Sequence, residues 1–452
     1  MIEFKRKYIK TVHLQQNKNK MKGRFSWWPE WIKRKQAYAQ TNEKQMDADR
    51  FNAICAGTGL PNIHQKSTFK FKDVADGASR FLGNSPSGEK PYARIYTRLG
   101  NPNTEYLEKV LFQLECGHII DNALAKDEKT PTIASLVFAS GMAAITTIIM
   151  GFVKPRDAIV VGNVYGCTDS FMRFLQNRFG IEIFFTDATN TENVKQLLEK
   201  HNNIAAVFIE TPDNPTLAVC DIEAISKLTE ASETMLIIDN TFCSPYLQQP
   251  FRLGADVVIH SLTKYVNGHS ASIAGAALGP YEFFSKEVYP VYKDFGPTPS
   301  PFDSWLNSLS IQDMGVRMEH QCATAQKLAE FLEAHPKVNR VWFPGLKSHE
   351  HYAVAKKQMR NGGAVISFDL KGGYDAGVNM MNYFARPYTP MELAVSLGSV
   401  ISYIEHPASM THAAVPEEDR LVRGITKSLV RLSVGVEGFS TLSKALDASL
   451  NL

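Results

Sequence analysis

Short apolar runs alternate with stretches of helical periodicity between about residues 136 and 279, and this alternation constrains the fold more than any other feature of the sequence. The apolar runs are rich in β-branched residues and lie at 158–161, 205–209, 235–238 and 256–259. The helical stretches between them include 191–201 and 222–232. Nearly continuous apolar strands separated by helices indicate a largely parallel sheet that is covered on both faces. The region is therefore predicted to be an α/β domain whose ligands bind at the carboxyl ends of its strands.

The pattern changes after Gly279, and this change predicts a second domain. A Pro-rich stretch at 296–301 precedes a long helical pattern over 302–335, and a new strand-like run follows at 364–368. Before Leu107, a segment rich in Gly, Asn and Pro is typical of an arm rather than of a core. We therefore predict four parts, which are a basic N-terminal extension (1–50), an N-terminal arm (51–110), a large domain (111–300) and a smaller α+β C-terminal domain (301–452).

The basic charge of the chain is concentrated at its N-terminus. Residues 1–35 hold eleven Lys and Arg but two Glu, whereas the net charge of the whole chain is +3. Charge blocks of this kind are usually solvated tails, and we predict such a tail here. The alternative is that the basic run 33–35, beside Trp27, Trp28 and Trp31, contacts RNA or an anionic membrane surface.

Cysteine usage and hydropathy restrict the class of protein. The six cysteines are scattered and form no Cys-x-x-Cys pair, which favours reduced thiols over a disulfide framework or a zinc site. The sequence contains no run of 18 apolar residues and no pattern typical of a secretory signal. We therefore predict a cytoplasmic protein that has no metal site and binds neither a membrane nor nucleic acid.

The most informative segment leads from a buried strand into a lysine among hydroxyl groups. Ser261 and Thr263 stand two residues apart, and Lys264 follows immediately. A lysine in a site of low dielectric constant has a lowered pKa, which Schiff-base chemistry requires. The two hydroxyls are suited to hold a phosphate beside that amine.

Two further strand ends carry the other parts of a cofactor site. Asp239 ends an apolar run, and a buried carboxylate there needs a partner such as a protonated pyridine nitrogen. Ser140 and Gly141 turn a strand into a helix, and free backbone amides at a helix start bind phosphate. Together with Lys264, these residues predict a site for pyridoxal phosphate (PLP).

The segment 261–269, which reads Ser-x-Thr-Lys-Tyr-x-Asn-Gly-His, resembles the lysine signature of the Cys/Met-metabolism group of PLP-dependent transsulfuration enzymes. The similarity runs from about Tyr92 to the C-terminus. It implies the PLP-dependent transferase fold of type I (aspartate-aminotransferase-like), in which a large domain with a parallel or mixed sheet joins a smaller α+β C-terminal domain. It also implies a homotetramer built from dimers that share their active sites.

The resemblance assigns a role to each matching residue at the cofactor. Lys264 would form the covalent link to PLP and shuttle protons, and Asp239 would hold the pyridinium nitrogen. Tyr165 would stack on the ring and act as an acid toward the leaving group, and Asn214 would lie close to the ring oxygen. The other residues implied to bind the cofactor are Tyr96, Arg98, Ser140, Gly141, Met142, Thr241, Ser261 and Thr263.

The resemblance also assigns residues to the neighbouring subunit and to the substrate. Tyr96 and Arg98 match the arm that, in the family, clamps the phosphate of the adjacent chain. Arg431 would bind the α-carboxylate of an amino acid in a bidentate pair, with Ser396 assisting.

Three positions bear on the choice of substrate. Cys167 stands where many relatives carry Gly, and with Lys293 and Asp294 it resembles methionine γ-lyases. Val395 occupies a place where cystathionine-handling relatives often have glutamate, and an apolar residue there fits a thioether that lacks a distal amino group. We therefore expect γ-elimination on L-methionine, giving methanethiol, 2-oxobutanoate and ammonia.

Other functions stay open at this point. They include cystathionine γ-lyase or γ-synthase and O-acetylhomoserine sulfhydrylase activity, an aminotransferase of the same fold type, and a non-catalytic relative that uses the fold as a scaffold. The chain departs from the family pattern in its N-terminal extension and in a polar insertion around 121–131, for which we predict a surface loop.

Overall fold

The computed structural model of the chain describes residues 28, 31, 48–56, 59–81, 94–125, 133–411, 413, 417–422 and 424–452. None of the helices in this part of the chain combines the length and the hydropathy that a bilayer crossing requires.

The elements fall into two groups along the chain, as the change of pattern after Gly279 predicts. Those up to residue 295 are α1 (Ala48–Ala56), α2 (Val74–Phe81), α3 (Pro102–Ala125), β1 (Ile133–Phe138), α4 (Gly141–Phe152), β2 (Ala158–Val161), α5 (Gly166–Phe179), β3 (Glu182–Phe185), α6 (Thr191–Lys200), β4 (Ile204–Glu210), α7 (Ile222–Ala231), β5 (Met235–Asp239), α8 (Ser244–Leu247), a 3₁₀ turn (Pro250–Leu253), β6 (Val257–Ser261), β7 (Gly275–Pro280), α9 (Tyr281–Phe283), a π-helical turn (Phe284–Val288) and α10 (Tyr289–Phe295). Those that follow are α11 (Pro301–Ser310), a 3₁₀ turn (Ile311–Asp313), α12 (Met314–Ala334), β8 (Val338–Trp342), α13 (Tyr352–Gln358), β9 (Val365–Leu370), α14 (Gly373–Phe384), β10 (Met391–Leu393), β11 (Ser402–Glu405), α15 (Glu417–Val422), β12 (Leu429–Ser433) and α16 (Phe439–Leu450).

The first group builds a seven-stranded sheet with the order β1-β7-β6-β5-β4-β2-β3. The strands from β6 to β3 in this order are parallel, and β7 is antiparallel to both of its neighbours. Every residue of β2, β4, β5 and β7 is buried, which explains why the sequence shows continuous apolar runs rather than alternation. The predicted α/β fold with a mixed sheet is confirmed.

The second group builds a five-stranded sheet with the order β10-β11-β12-β9-β8. The helix predicted over 302–335 is interrupted by the 3₁₀ turn between α11 and α12. Arg317 stabilises the interruption, since its guanidinium donates to the Ser310 carbonyl at 3.0 Å and to Oδ1 of Asp313 at 2.7 Å. The same side chain donates to the carbonyl of Tyr265 at 2.9 Å, so it also fastens α12 to the segment after β6.

Two tryptophans of the N-terminal extension are buried, so the prediction of a solvated tail is wrong at these positions. Trp28 and Trp31 are 6% and 5% exposed and belong to the core of the large sheet. Nε1 of Trp31 donates to Oδ1 of Asp256 at 2.8 Å, directly before β6. Both indoles therefore contact the protein's own large domain rather than RNA or a membrane, and the basic run 33–35 lies outside the described residues.

The predicted arm and the polar insertion also differ from the structure. Phe51 and Cys55 on α1 are fully buried in the core cluster that contains Met314 and Met318 of α12. The predicted boundary at residue 110 falls inside α3, which continues to Ala125. Residues 121–125 are therefore helical rather than a surface loop, and 126–132 lie outside the described residues.

Candidate active site

Lys264 follows β6 and reaches toward the C-terminal domain. Its Nζ donates to Oγ of Ser396 at 2.7 Å. Burial, aided by the positive charge of Arg431, lowers the pKa of Lys264 to about 8. The predicted reactive amine is thus half-buried and more easily deprotonated than an ordinary lysine.

Asp239 lies at the carboxyl end of β5, beside the end of β6. Its Oδ1 accepts from the backbone N–H of Thr241 at 3.0 Å, and Oγ1 of Thr241 accepts from the N–H of Ser261 at 2.8 Å. Burial raises the pKa of Asp239, and the neighbouring strand residue in register is the equally buried Glu210. A cationic partner would offset the cost of this desolvated carboxylate.

The start of α4 lies against the end of β6. Ser140 caps the helix, since its Oγ accepts from the N–H of Ala143 at 3.0 Å. A Cβ atom on Gly141 would stand 2.8 Å from Cβ of Ser261, so a side chain there would push the helix away from the strand. The helix amides and the Ser261 hydroxyl therefore lie together, as a phosphate site requires.

Thr263 and Met142 have contacts of their own within the protein. Oγ1 of Thr263 donates to the carbonyl of Ala274 at 3.2 Å and accepts from the N–H of the same residue at 3.1 Å. Sδ of Met142 accepts from Oγ1 of Thr168 at 3.8 Å. Phosphate binding by Thr263 and Met142 stays a prediction.

Tyr165 caps α5, and Cys167 follows in the first turn of the same helix. The backbone N–H of Tyr165 donates to Oε2 of Glu210 at 2.8 Å. A hydrogen bond with the Cys167 side chain, followed by partial burial, raises the pKa of Tyr165 to about 12. The phenol is half-exposed and stays protonated at neutral pH, and the thiol of Cys167 is exposed.

Arg431 lies on β12 at the centre of a polar cluster. Its Nη1 donates to Oδ1 of Asn214 at 2.8 Å, and its Nη2 donates to the carbonyl of Ser396 at 2.7 Å. Nη2 also forms an ion pair with Oε1 of Glu405 at 3.0 Å. Ser396 therefore contacts both Lys264 and Arg431, and Val395 beside it is 53% exposed.

The arm residues lie against a different part of the same chain. Arg98 donates to the carbonyl of Lys293, and its guanidinium stands 5.7 Å from the ring centre of Tyr96. Lys293 pairs with Asp294 at the end of α10. The structure thus brings Tyr96 and Arg98 to Lys293 and Asp294, and a role in a neighbouring chain stays a prediction.

The residues at the strand ends fit PLP chemically. They provide an amine of lowered pKa, a desolvated carboxylate for a ring nitrogen, and a helix start for a phosphate. A metal site has no such support in the described ranges, where no group of three or more His, Cys, Asp or Glu side chains is arranged to hold an ion.

Sequence reasoning assigned no role to two carboxyl groups of this site. Glu210 ends β4 beside Asp239, and Glu405 ends β11 beside Arg431. Burial raises the pKa of both. The charge of Glu210 at the end of an apolar run was a usable signal, whereas the role of Glu405 follows from a strand pairing that the sequence does not reveal.

Comparison with known proteins agrees with this geometry. The sequence profile described as "Cys/Met metabolism PLP-dependent enzyme" matches residues 45–451. An L-methionine gamma-lyase of Treponema denticola is 43% identical over 395 residues, which are 85% of this chain and 91% of that protein. A cystathionine beta-lyase of Lactococcus lactis is 38% identical, over 84% of this chain and 90% of that protein.

A solved structure is similar over nearly the whole chain. Cystathionine gamma synthase from Xanthomonas oryzae pv. oryzae, in complex with cystathionine, has a TM-score of 0.77 and 32% identity, and the match covers 90% of this chain and 98% of that one. The lysine, the carboxylate and the helix start described above lie within the matched range. The chain therefore belongs to the Cys/Met-metabolism family of enzymes, whose cofactor is PLP.

Proposed function

We propose that this enzyme catalyses γ-elimination on a sulfur amino acid and that L-methionine is its preferred substrate. Methionine and water would yield methanethiol, 2-oxobutanoate and ammonia. The observation that carries the proposal is that Lys264 and Arg431 both contact Ser396, because a reactive amine and a cation for a carboxylate then face one amino acid. The relatives named L-methionine gamma-lyase, at 36% to 43% identity, support methionine.

PLP, when bound, supplies an aldehyde for a covalent link and a ring that accepts an electron pair. Lys264 is the linking amine, and Asp239 keeps a proton on the ring nitrogen. Tyr165 lies against the ring, and Asn214 lies near the ring oxygen. The residues that hold the phosphate are the backbone and side chains of Ser140, Gly141, Met142, Thr241, Ser261 and Thr263, with Tyr96 and Arg98 of a neighbouring chain.

The chain's own residues then bind the substrate and move protons. Arg431 holds the α-carboxylate, and Ser396 helps to orient the amino acid so that its Cα–H bond faces Lys264. Lys264 removes the Cα proton and moves the next proton at Cβ. Tyr165, kept protonated by its contact with Cys167, donates a proton to the departing sulfur.

Val395, Lys293 and Asp294 would set the side-chain preference. Val395 offers an apolar surface next to Ser396, which suits the methyl thioether of methionine. A glutamate at this position would attract the distal amino group of cystathionine. Because a single pocket contact changes specificity by roughly 10–200-fold, activity on related amino acids is expected to persist.

The proposed assembly is a homotetramer of dimers, each dimer sharing its two sites. The exposed pair Tyr96 and Arg98, which lies apart from Lys264 in its own chain, supports sharing. We also propose a cytoplasmic location. The support is that Cys55, Cys116, Cys167, Cys220, Cys243 and Cys322 are free thiols.

The substrate proposal is tested by the specificity constants kcat/KM of the purified holoenzyme for methionine, cystathionine, cysteine, and O-acetylhomoserine with sulfide. Methionine should give the highest value, with methanethiol as product. Val395→Glu should raise the cystathionine-to-methionine ratio by on the order of tenfold. A wild type that prefers cystathionine tenfold would contradict the proposal.

Activity on cystathionine is the second candidate. The cystathionine beta-lyase of Lactococcus lactis and the cystathionine-bound structural relative favour it. The same kinetic comparison distinguishes the two candidates, because cleavage of cystathionine releases a second amino acid and cleavage of methionine releases a volatile thiol.

A further inference from the structure

Glu405 and Arg431 face each other across two neighbouring strands. They are paired in register between β11 and β12, and they are 1% and 4% exposed. Oε1 of Glu405 stands 3.0 Å from Nη2 of Arg431. The cation proposed to bind the substrate carboxylate therefore already carries a buried anion.

The hydrogen bonds of Arg431 leave no free pair of donors for a carboxylate. Nη1 donates to Asn214, and the two hydrogens of Nη2 face the carbonyl of Ser396 and Oε1 of Glu405. A guanidinium offers two forks, Nε with Nη2 and Nη1 with Nη2, so each fork needs Nη2. A bidentate carboxylate must therefore displace one of the two acceptors from Nη2.

Two atoms of the pair have no hydrogen-bond partner among the described residues. They are Nε of Arg431 and Oε2 of Glu405, and both are buried. Such orphaned groups are costly inside a protein. Nε is one half of the first fork, so it is ready to donate once Nη2 is released.

We propose that Glu405 is a placeholder anion, which neutralises Arg431 in the free enzyme and is displaced from Nη2 when the α-carboxylate of the substrate binds. The inference rests on the proposed binding of an amino acid at Arg431. Glu405 leaves rather than the Ser396 carbonyl because two carboxylates on one nitrogen repel each other. The carbonyl is neutral and belongs to a backbone position held at a φ of 91°.

The charges around Glu405 favour this exchange. Lys264 and Tyr165 also lie within its electrostatic reach, since Glu405 raises the pKa of both groups. A displaced Glu405 therefore remains near the amine of Lys264 rather than alone in an apolar core. The consequence for the enzyme is weaker carboxylate binding than an unpaired arginine would give.

The test measures binding without turnover. L-Norleucine matches the length of methionine but has no leaving group at Cγ, and its binding to the holoenzyme changes the visible absorbance of the cofactor. In Glu405→Gln the Kd for norleucine should fall by about tenfold, because a competing charged hydrogen bond is gone. The Kd for n-pentylamine, which lacks the carboxylate, should stay unchanged.

The matched control is Glu392→Gln, since Glu392 is exposed on the adjacent strand β10 and the change removes the same charge from the same sheet. This variant should bind both ligands as the wild type does. Equal or weaker norleucine binding in Glu405→Gln would overturn the proposal, as would equal tightening for norleucine and pentylamine.

A second measurement uses the wild type, so it does not depend on the folding of a variant. In a crystal structure of the holoenzyme with norleucine, the ligand carboxylate should contact Nη2 of Arg431, and Oε1 of Glu405 should have moved away. A bound carboxylate with the 3.0 Å contact intact would refute the placeholder role. Failure of methionine turnover would refute the proposed function alone, because neither measurement involves elimination.

Discussion

At the scale of single residues, protonation states decide the proposed chemistry. Tyr165 can donate a proton to the departing sulfur only while its phenol is protonated. The hydrogen bond with Cys167 is the largest cause of its raised pKa, so the thiol protects the acid form. By contrast, burial lowers the pKa of Lys264 and favours the free amine that a base requires.

Replacing Cys167 with alanine should therefore lower the pKa of Tyr165 from about 12 toward its ordinary value. The alkaline limb of the kcat profile for methionine should move to lower pH, and kcat at neutral pH should fall. Alanine is preferable to glycine, because a glycine in the first turn of α5 adds a helix penalty of about 1 kcal/mol.

Cofactor loading, followed by visible absorbance, should be the same in Cys167→Ala and in the wild type. Cys167→Ser is the matched control, since a hydroxyl can keep the contact with Tyr165 and should retain most of the alkaline range. An alkaline limb that does not move in Cys167→Ala would mean that the thiol does not tune the phenol.

At the scale of elements, β6 separates the active site from the N-terminal anchor. Asp256, which accepts from the indole of Trp31, precedes the strand, and Lys264 follows it. Asp256 also accepts from the backbone N–H of Leu236 at 2.7 Å, so it ties the starts of β5 and β6 together. The tryptophan contact is therefore expected to affect stability and to leave the chemistry unchanged.

Deleting residues 1–35 should lower Tm, because the buried indoles of Trp28 and Trp31 leave the core. Trp31→Phe alone should cost about 1.5–3 kcal/mol, the contribution of a hydrogen bond to a charged group. Deleting only residues 1–20 is the control and should leave Tm unchanged. Equal Tm values for the full chain and both deletions would show that the anchor contributes nothing.

The elements also show what the sequence predicts well. The strands β2, β4, β5 and β6 and the helices α6 and α7 lie within a few residues of their predicted positions, because buried strands and amphipathic helices leave local patterns. Asp239 and Lys264 were therefore found at the correct strand ends. The contact between Trp31 and Asp256 joins residues 225 positions apart, and no local pattern encodes it.

The same limit applies to the pairing of Glu405 with Arg431. Each residue lies in a short strand whose neighbour is fixed by the packing of the whole C-terminal sheet. The break at 311–313 was also missed, because the helical periodicity continues across it and the cause is a set of contacts made by Arg317. Non-local contacts of this kind appear only in the folded chain.

At the scale of the whole molecule, the proposed site is incomplete without a second chain. Arg98 and Tyr96 lie beside Lys293 of their own chain, whereas Lys264 and Arg431 meet at Ser396. A cyclic dimer repeats every contact twice, so an arm that serves its neighbour does so in both directions. Each dimer would then hold two sites, each made from both chains.

Sharing predicts that two inactive variants restore each other. Arg98→Ala lacks the arm's cation, and Lys264→Ala lacks the reactive amine, so each homo-oligomer should be nearly inactive. After the two are mixed, unfolded and refolded together, half of the dimers carry both variants, and one of the two sites in such a dimer is intact. The mixture should therefore recover about a quarter of the wild-type activity. Size-exclusion chromatography should give the same oligomer for all samples, and a mixture no more active than its components would mean that Arg98 serves its own chain.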